Sequence, residues 1–206
     1  MLFIFAECWA CGGSMLEGSR VLFDEFYKHV VDLSVITAND HDSGPYQLPG
    51  QLRTMFDFYF DVDKRCWKAW ENKVTECQQP VDRLFCNILV PTTDNVIHSS
   101  ILQMLMEQKV PVLFIGEYGT AKTVTIQSYM RGRDPETMNI LTINFSNRTN
   151  SLQVQRTLDD NLDRPLMGVI RPRAGKKLIV FIDDLNMPQM DKEETQQPNR
   201  ITQIPI

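Results

Sequence analysis

The sequence predicts an α/β fold: a parallel sheet flanked by helices, preceded by a helical segment and a β-hairpin connector. Three observations predict it. From residue 88 onward, apolar runs of strand length alternate with stretches of helical periodicity, which calls for parallel strands joined by helices. The run Leu178, Ile179, Val180, Phe181, Ile182 is continuously apolar, as in a strand buried on both faces. Ahead of both, residues 1–35 place apolar side chains at helical spacing, and residues 56–61 alternate around aromatic rings.

Taken in order, Leu22, Phe26, Val30 and Leu33 form an apolar helical stripe, with Asp24, Glu25 and Lys28 on the other side. Gly12-Gly13 splits the segment into two helices or kinks one. Residues 37–54 are rich in turn formers and read as a connector; His41 there is solvated. Residues 56–61 are a strand, Asp63, Lys64 and Arg65 turn the chain, and 67–74 return, with Trp67 and Trp70 packing on a neighbouring surface. Residues 88–92 are a short strand ended by Pro91. Asp94 caps the next helix, whose apolar face is Ile97, Ile101, Leu102 and Leu105. A strand over 112–115 leads through a loop into a helix carrying Ile126, Tyr129 and Met130, which stops near Gly132. Residues 139–145 are the next strand. Ser151 opens a helix with Val154, Leu158 and Leu162 at four-residue spacing. Residues 164–175 form a loop, 177–184 the last strand, and 185–206 are polar and turn-rich.

Composition excludes several classes. The chain has 206 residues, 43% of them hydrophobic and 23% charged, ordinary for a globular protein. A net charge of −5 with no basic run argues against nucleic acid as a partner. No apolar stretch approaches the ~20 residues of a membrane span, so no membrane partner is expected. The five cysteines are odd in number and are expected to be reduced thiols. Cys8-x-x-Cys11 lacks the second pair that a zinc site needs, and reads as two small residues on a helix face.

The chemistry sits at strand ends. Gly116-Glu-Tyr-Gly-Thr-Ala-Lys-Thr123 has the spacing of a Walker A loop, G-x-x-x-x-G-K-[ST], with Ala121 in place of the last glycine. Strand, glycine loop and helix together make a phosphate cradle: backbone N–H groups converge on the anion and the helix dipole adds to them. The expected nucleotide-binding residues are Gly116, Glu117, Tyr118, Gly119, Thr120, Ala121, Lys122 and Thr123. Lys122 reaches the outer phosphates and Thr123 holds Mg²⁺. Asp183 closes an apolar strand as a Walker B carboxylate does, and is the second Mg²⁺ ligand. Asp184 is the candidate catalytic residue, placed to polarise a water.

These motifs resemble the AAA+ ATPases and, within them, the dynein heavy chains. Asn186-Met-Pro188 after the two carboxylates resembles the dynein form F-I-D-D-x-N-M-P, and Gln196-Gln-Pro198 fits as well. Residues 88–94 resemble the strand opening a dynein AAA module, and the resemblance implies Val90 and Pro91 as nucleotide contacts. Asn144-Phe-Ser146 with Val154-Gln-Arg-Thr157 resembles its second strand and following helix. The loop itself resembles that of the third AAA module of axonemal outer-arm heavy chains. The resemblance thus implies an incomplete P-loop AAA+ parallel sheet over 88–198. Residues 1–35 would be a helical tail similar to the lid of the preceding module, 36–87 a connector with a β-hairpin, and 199–206 a divergent tail. It implies ATP or ADP with Mg²⁺ as ligand. It implies neighbouring AAA modules, other dynein chains and microtubules as partners through the parent motor. It places the protein in the cytoplasm, on the cytoskeleton of the ciliary axoneme.

The sequence also departs from the family. Asp184 stands where active sites have Glu; it is one methylene, about 1.5 Å, shorter, and such a misplacement can cost roughly 100-fold in rate. Arg171 and Arg173 stand where the family tends to have a Tyr-Gly-Pro-Pro run, and residues 199–206 do not continue its pattern. The sensor-1 strand, the lid and its sensor-2 residue, and the arginine finger are therefore expected to be missing. The expectation is a fragment or truncated isoform, marginally stable alone, with a regulatory rather than a main hydrolytic site. Two rivals stay open: a non-catalytic interaction module without nucleotide, and a self-standing AAA+ ATPase.

Overall fold

The computed structural model describes residues 1–30, 53–75, 90–163, 170–190, 196 and 198. The chain divides into two compact units, Met1–Val112 and Leu113–Ile206.

In the first unit, the glycine pair does separate two helices, α1 (Leu2–Gly12) and α2 (Glu17–Val30). Gly12 is required by close approach: a Cβ there would come within 2.3 Å of Phe56 Cζ. Arg20 from α2 finishes α1. Its Nε donates to Gly12 O at 3.1 Å and its Nη2 to Gly13 O at 2.9 Å. Its guanidinium also lies over the rings of Trp9 and Phe56.

The orientation of α2 is the reverse of the expected one. Leu22 and Phe26 are 68% and 64% exposed, and Val30 is exposed too, whereas Asp24 is only 5% exposed. The inward face is Phe23, Asp24 and Tyr27. Asp24 Oδ1 accepts the backbone N–H of Met55 at 2.8 Å, and its Oδ2 pairs with Lys28 Nζ at 2.6 Å. Tyr27 donates to Glu7 Oε2 at 2.5 Å and stacks on Phe23. A fully hydrogen-bonded carboxylate beside two stacked rings outweighs the simple apolar stripe, since burying Asp24 unpaired would be costly. Leu33 and the connector up to residue 52 lie outside the described residues.

The hairpin forms as β1 (Phe58–Asp61) and β2 (Cys66–Ala69), antiparallel, with Phe58 opposite Ala69 and Asp61 opposite Cys66. The expected strand is shorter at both arms. Met55–Asp57 and Trp70–Lys73 are 3-10 turns, the first closed by a reciprocal Thr54–Asp57 capping box. Asp61 Oδ1 takes the N–H groups of Asp63 and Lys64 and so builds the turn. Trp70 is buried and meets Phe5 and Tyr59; Trp67 meets Phe5 and Phe60. The packing expected of both tryptophans is observed. Helix α3 (Thr93–Glu107) buries Leu102 and packs against the Trp70–Lys73 turn, where Lys73 Nζ donates to Ser100 Oγ at 3.1 Å. Its cap is Thr92, whose hydroxyl accepts from Asn95 N at 3.3 Å, not Asp94, which sits in the first turn. Ile88 and Leu89 fall outside the described residues, and residues 90–92 form no strand.

The second unit holds α4 (Lys122–Arg131), β3 (Met138–Asn144), α5 (Ser151–Asp159), the short antiparallel pair β4 (Leu162–Asp163) and β5 (Arg171–Pro172), and β6 (Lys177–Asp183). Strands β3 and β6 pair in parallel from Met138–Lys177 to Asn144–Asp183. Asn150 and Gln153 cap α5 reciprocally. That helix lays Val154 against Ile143 and Phe145, with Leu141, Leu158, Ile182 and Leu185 around them. Leu162 is not part of α5 but of β4.

Two expectations about strands fail here. Residues 112–115 alternate between half-buried and exposed, but form no paired strand. A strand is defined by its ladder, and among the described residues none lies beside this run. Nor is β6 buried on both faces among the described residues: Phe181 is buried and Val180 is exposed.

Candidate phosphate-binding site

The site lies within the second unit, at the carboxyl end of β6 and the N-terminus of α4. The loop reaches the helix through two left-handed residues, Gly119 (φ 78°) and Ala121 (φ 57°). Glycine takes such angles freely. Alanine does so at a cost of about 1 kcal/mol, so Ala121 carries strain where the motif has its last glycine. The first turn of α4 is secured behind it. Ala121 O accepts from both the amide and the hydroxyl of Thr125, each at 2.9 Å, and Thr125 is buried.

Lys122 turns back into the loop. Its ammonium donates to Gly116 O at 2.9 Å, to Glu117 O, and to Thr120 Oγ1 at 3.1 Å. Thr120 Oγ1 itself donates to Glu117 O at 2.9 Å. The three donors of the ammonium thus meet three acceptors of one loop, which draws residues 116–122 into a ring around a positive charge. Glu117, Tyr118 and Gly119 are exposed at the tip.

Thr123 and Asp183, 60 positions apart, meet: Thr123 Oγ1 donates to Asp183 Oδ1 at 3.2 Å. That carboxylate oxygen also accepts the N–H of Asp184 at 3.1 Å. A hydroxyl and a carboxylate side by side at a helix N-terminus are hard oxygen donors of the type that suits Mg²⁺. The residues present fit the metal. Asp184 is exposed and left-handed (φ 53°), and opens a turn closed by Met187 N on Asp184 O at 2.9 Å. Asp is among the few residues that tolerate that angle.

The structure therefore brings together Gly116 through Thr123 and Asp183, with Asp184 adjacent. Val90 and Pro91 belong to the first unit, where Val90 O accepts from Asn95 Nδ2 at 3.3 Å. Sequence reasoning missed the tethering role of Thr120 and the anchoring role of Thr125. Both are hydroxyls within four residues of a carbonyl they bond, a local signal available in the spacing. Among the described residues, no group of three or more His, Cys, Asp or Glu forms a further metal cluster, and no helix is long and apolar enough to cross a membrane.

Residues 77–204 match the family model described as the P-loop containing dynein motor region. The chain belongs to the dynein heavy chain family. Residues 1–72 match the dynein heavy chain AAA lid domain. Among curated relatives, the human dynein axonemal heavy chain 10 is 41% identical over 196 residues, which is 94% of this chain and 4% of that protein. The dynein-1-alpha heavy chain of the flagellar inner arm I1 complex of Chlamydomonas reinhardtii is 37% identical over 96% of this chain and 4% of its own length. The rat dynein axonemal heavy chain 5 is 36% identical over 97% of this chain and 6% of its own length. The chain thus spans only 4–6% of the length of these dyneins. It matches the AAA+ motor region, and the relatives named here are axonemal or flagellar.

Proposed function

We propose that this chain binds ATP or ADP with Mg²⁺ at the loop Gly116–Thr123, as part of an axonemal dynein heavy chain, and that the site regulates rather than drives the motor. The observation that carries the reading is the 3.2 Å contact between Thr123 Oγ1 and Asp183 Oδ1. It joins the phosphate loop to the acidic end of a parallel strand, the pairing that a Mg²⁺-nucleotide needs.

In this reading the loop amides and the N-terminus of α4 receive the phosphates. Lys122 exchanges loop acceptors for phosphate oxygens. Thr123 and Asp183 hold the metal, which supplies charge neutralisation between phosphates. Asp184 is one methylene short of the carboxylate that active sites use, so water activation is weak and the site acts as a switch. Nucleotide state then biases how modules pack.

We also place the chain at the end of the second AAA module and the first half of the third: 1–35 as lid tail, 36–87 as connector, 88–198 as partial P-loop domain and 199–206 as divergent tail. Its partners are then neighbouring modules, other dynein chains and, through the parent motor, microtubules of the axoneme. The loop sequence supports an outer-arm heavy chain, while the inner-arm relative at 37% identity supports axonemal heavy chains more broadly.

Titration with Mg²⁺-ADP and Mg²⁺-ATP tests the binding claim. Lys122→Ala should weaken binding by about 10- to 100-fold, as expected for lost charge-assisted hydrogen bonds. Equal, poor binding by wild type and variant overturns the reading and favours an interaction module. Sustained ATP turnover by the isolated chain overturns the regulatory role.

A further inference from the structure

The motif Gln196-Gln-Pro198 has no part in the site as described, yet its first member reaches the loop that follows Asp183 and Asp184. Gln196 Nε2 donates to Asn186 O at 2.9 Å and to Pro188 O at 2.8 Å. One side-chain amide carries two N–H donors, and here they bracket Met187. The amide of Met187 closes the turn on Asp184 O, and the next amide, Gln189 N, bonds Asn147 O at 3.3 Å, in the loop after β3. Pro188 and Pro198 are both buried, so both ends of the tether are anchored by packing. The turn needs such support, because Asp184 is held at φ 53°, an angle that costs a non-glycine residue about 1 kcal/mol.

We infer that Gln196 is a positioning residue: its amide clamps the 184–188 turn and thereby sets the direction in which the Asp183–Asp184 pair faces the phosphate loop. The clamp stands on its hydrogen bonds alone; the positioning role rests on the nucleotide reading above. The local turn closes on Asp184 O, and a side chain 12 positions from Asp184 in sequence clamps the far end of that turn.

Two variants of the 206-residue chain test it, Gln196→Met, which keeps length and removes both donors, and Gln196→Glu, which keeps shape and turns a donor into an acceptor. Hydrogen exchange at the Met187 and Gln189 amides should quicken about tenfold, with Ile143 and Val154 unchanged. In the same variants, the gain in ADP affinity on adding Mg²⁺ should fall about tenfold, while metal-free ADP binding holds. Wild-type exchange at Met187 and Gln189 overturns the clamp. An equal rise at Ile143 and Val154 overturns it too, since the effect is then global. Faster exchange with the Mg²⁺ gain intact overturns the positioning role. A wild-type chain that binds no Mg²⁺-ADP overturns the nucleotide reading and the positioning role with it, and exchange alone then decides the clamp.

Discussion

Asp24 and Asp183 are two carboxylates used in opposite ways. Asp24, in the first unit, is buried, and its oxygens meet a backbone amide and a lysine; it holds α2 against the Met55 turn. Asp183, in the second, is half-buried at a strand end beside a hydroxyl, where an incoming cation can share it. Neither charge is exposed by accident. The first is spent on the fold, so its removal is a stability event. The second, on the proposed function, is held for a ligand, and its removal is then a binding event. The two units differ in the same sense: aromatic and polar interlocking decides the first, and a local strand–loop–helix motif decides the second.

The comparison breaks most visibly at Trp70. It is 1% exposed, and Trp70→Ala should cost about 3–5 kcal/mol, read as early urea unfolding of the first unit. If the second unit's nucleotide response melts in the same transition, the two units are one cooperative block.

Asp24→Ala should cost about 2–3 kcal/mol, since it strands the Met55 amide and unpairs Lys28. Asp183→Asn should change stability by under about 1 kcal/mol and abolish the Mg²⁺ dependence of ADP binding. Urea melts and titrations of both variants check the contrast, and a stability loss at Asp183 matching that at Asp24 would erase it.

The first unit should also weaken in alkali. Burial pushes the Tyr27 hydroxyl up from 10.0, and its bond to Glu7 adds to this. Burial, then the charges of Asp24 and Glu7, pushes the Cys8 thiol from 9.0 up to about 12. Both groups stay protonated in the fold at pH values where the unfolded chain releases its proton. Their stabilisation is full below pH 9 and is lost progressively as pH rises toward 12. Thermal melts from pH 8 upward should show it, and an alkylating reagent at neutral pH should label exposed Cys11 and spare Cys8.

Ala121→Gly should relieve the left-handed strain and stabilise the second unit by about 1 kcal/mol. A loss instead would mean that the alanine side chain contributes packing that outweighs its angle. The smallest effect belongs to the outward stripe: Phe26→Gln should shift stability by less than about 0.5 kcal/mol. A loss of several kcal/mol would restore Leu22, Phe26 and Val30 as core.

The legible parts were those whose signal is short-range. The break at Gly12-Gly13, the hairpin turn through Asp63–Arg65 and the stop of α4 near Gly132 all follow from neighbours in sequence. The association of Thr123 with Asp183 was expected from the paired motifs, and the structure shows it as a side-chain contact at the end of β6. The inward face of α2 was not legible. Aromatic residues lie on both sides of the helix, Phe26 outward and Phe23 and Tyr27 inward, and the inward face is held by an amide 31 positions away that Asp24 accepts.

By itself, then, the sequence determined the α/β class and the P-loop motif with the acidic strand end that follows it, since these depend on periodicity and on residue chemistry at fixed spacing. Only the tertiary structure decided which face of α2 turns inward, that 112–115 pairs with no strand among the described residues, and that Gln196 reaches back to the turn after Asp184. Each of those rests on hydrogen bonds between segments far apart in the chain, or on their absence, and such partners are chosen by packing rather than by sequence neighbours.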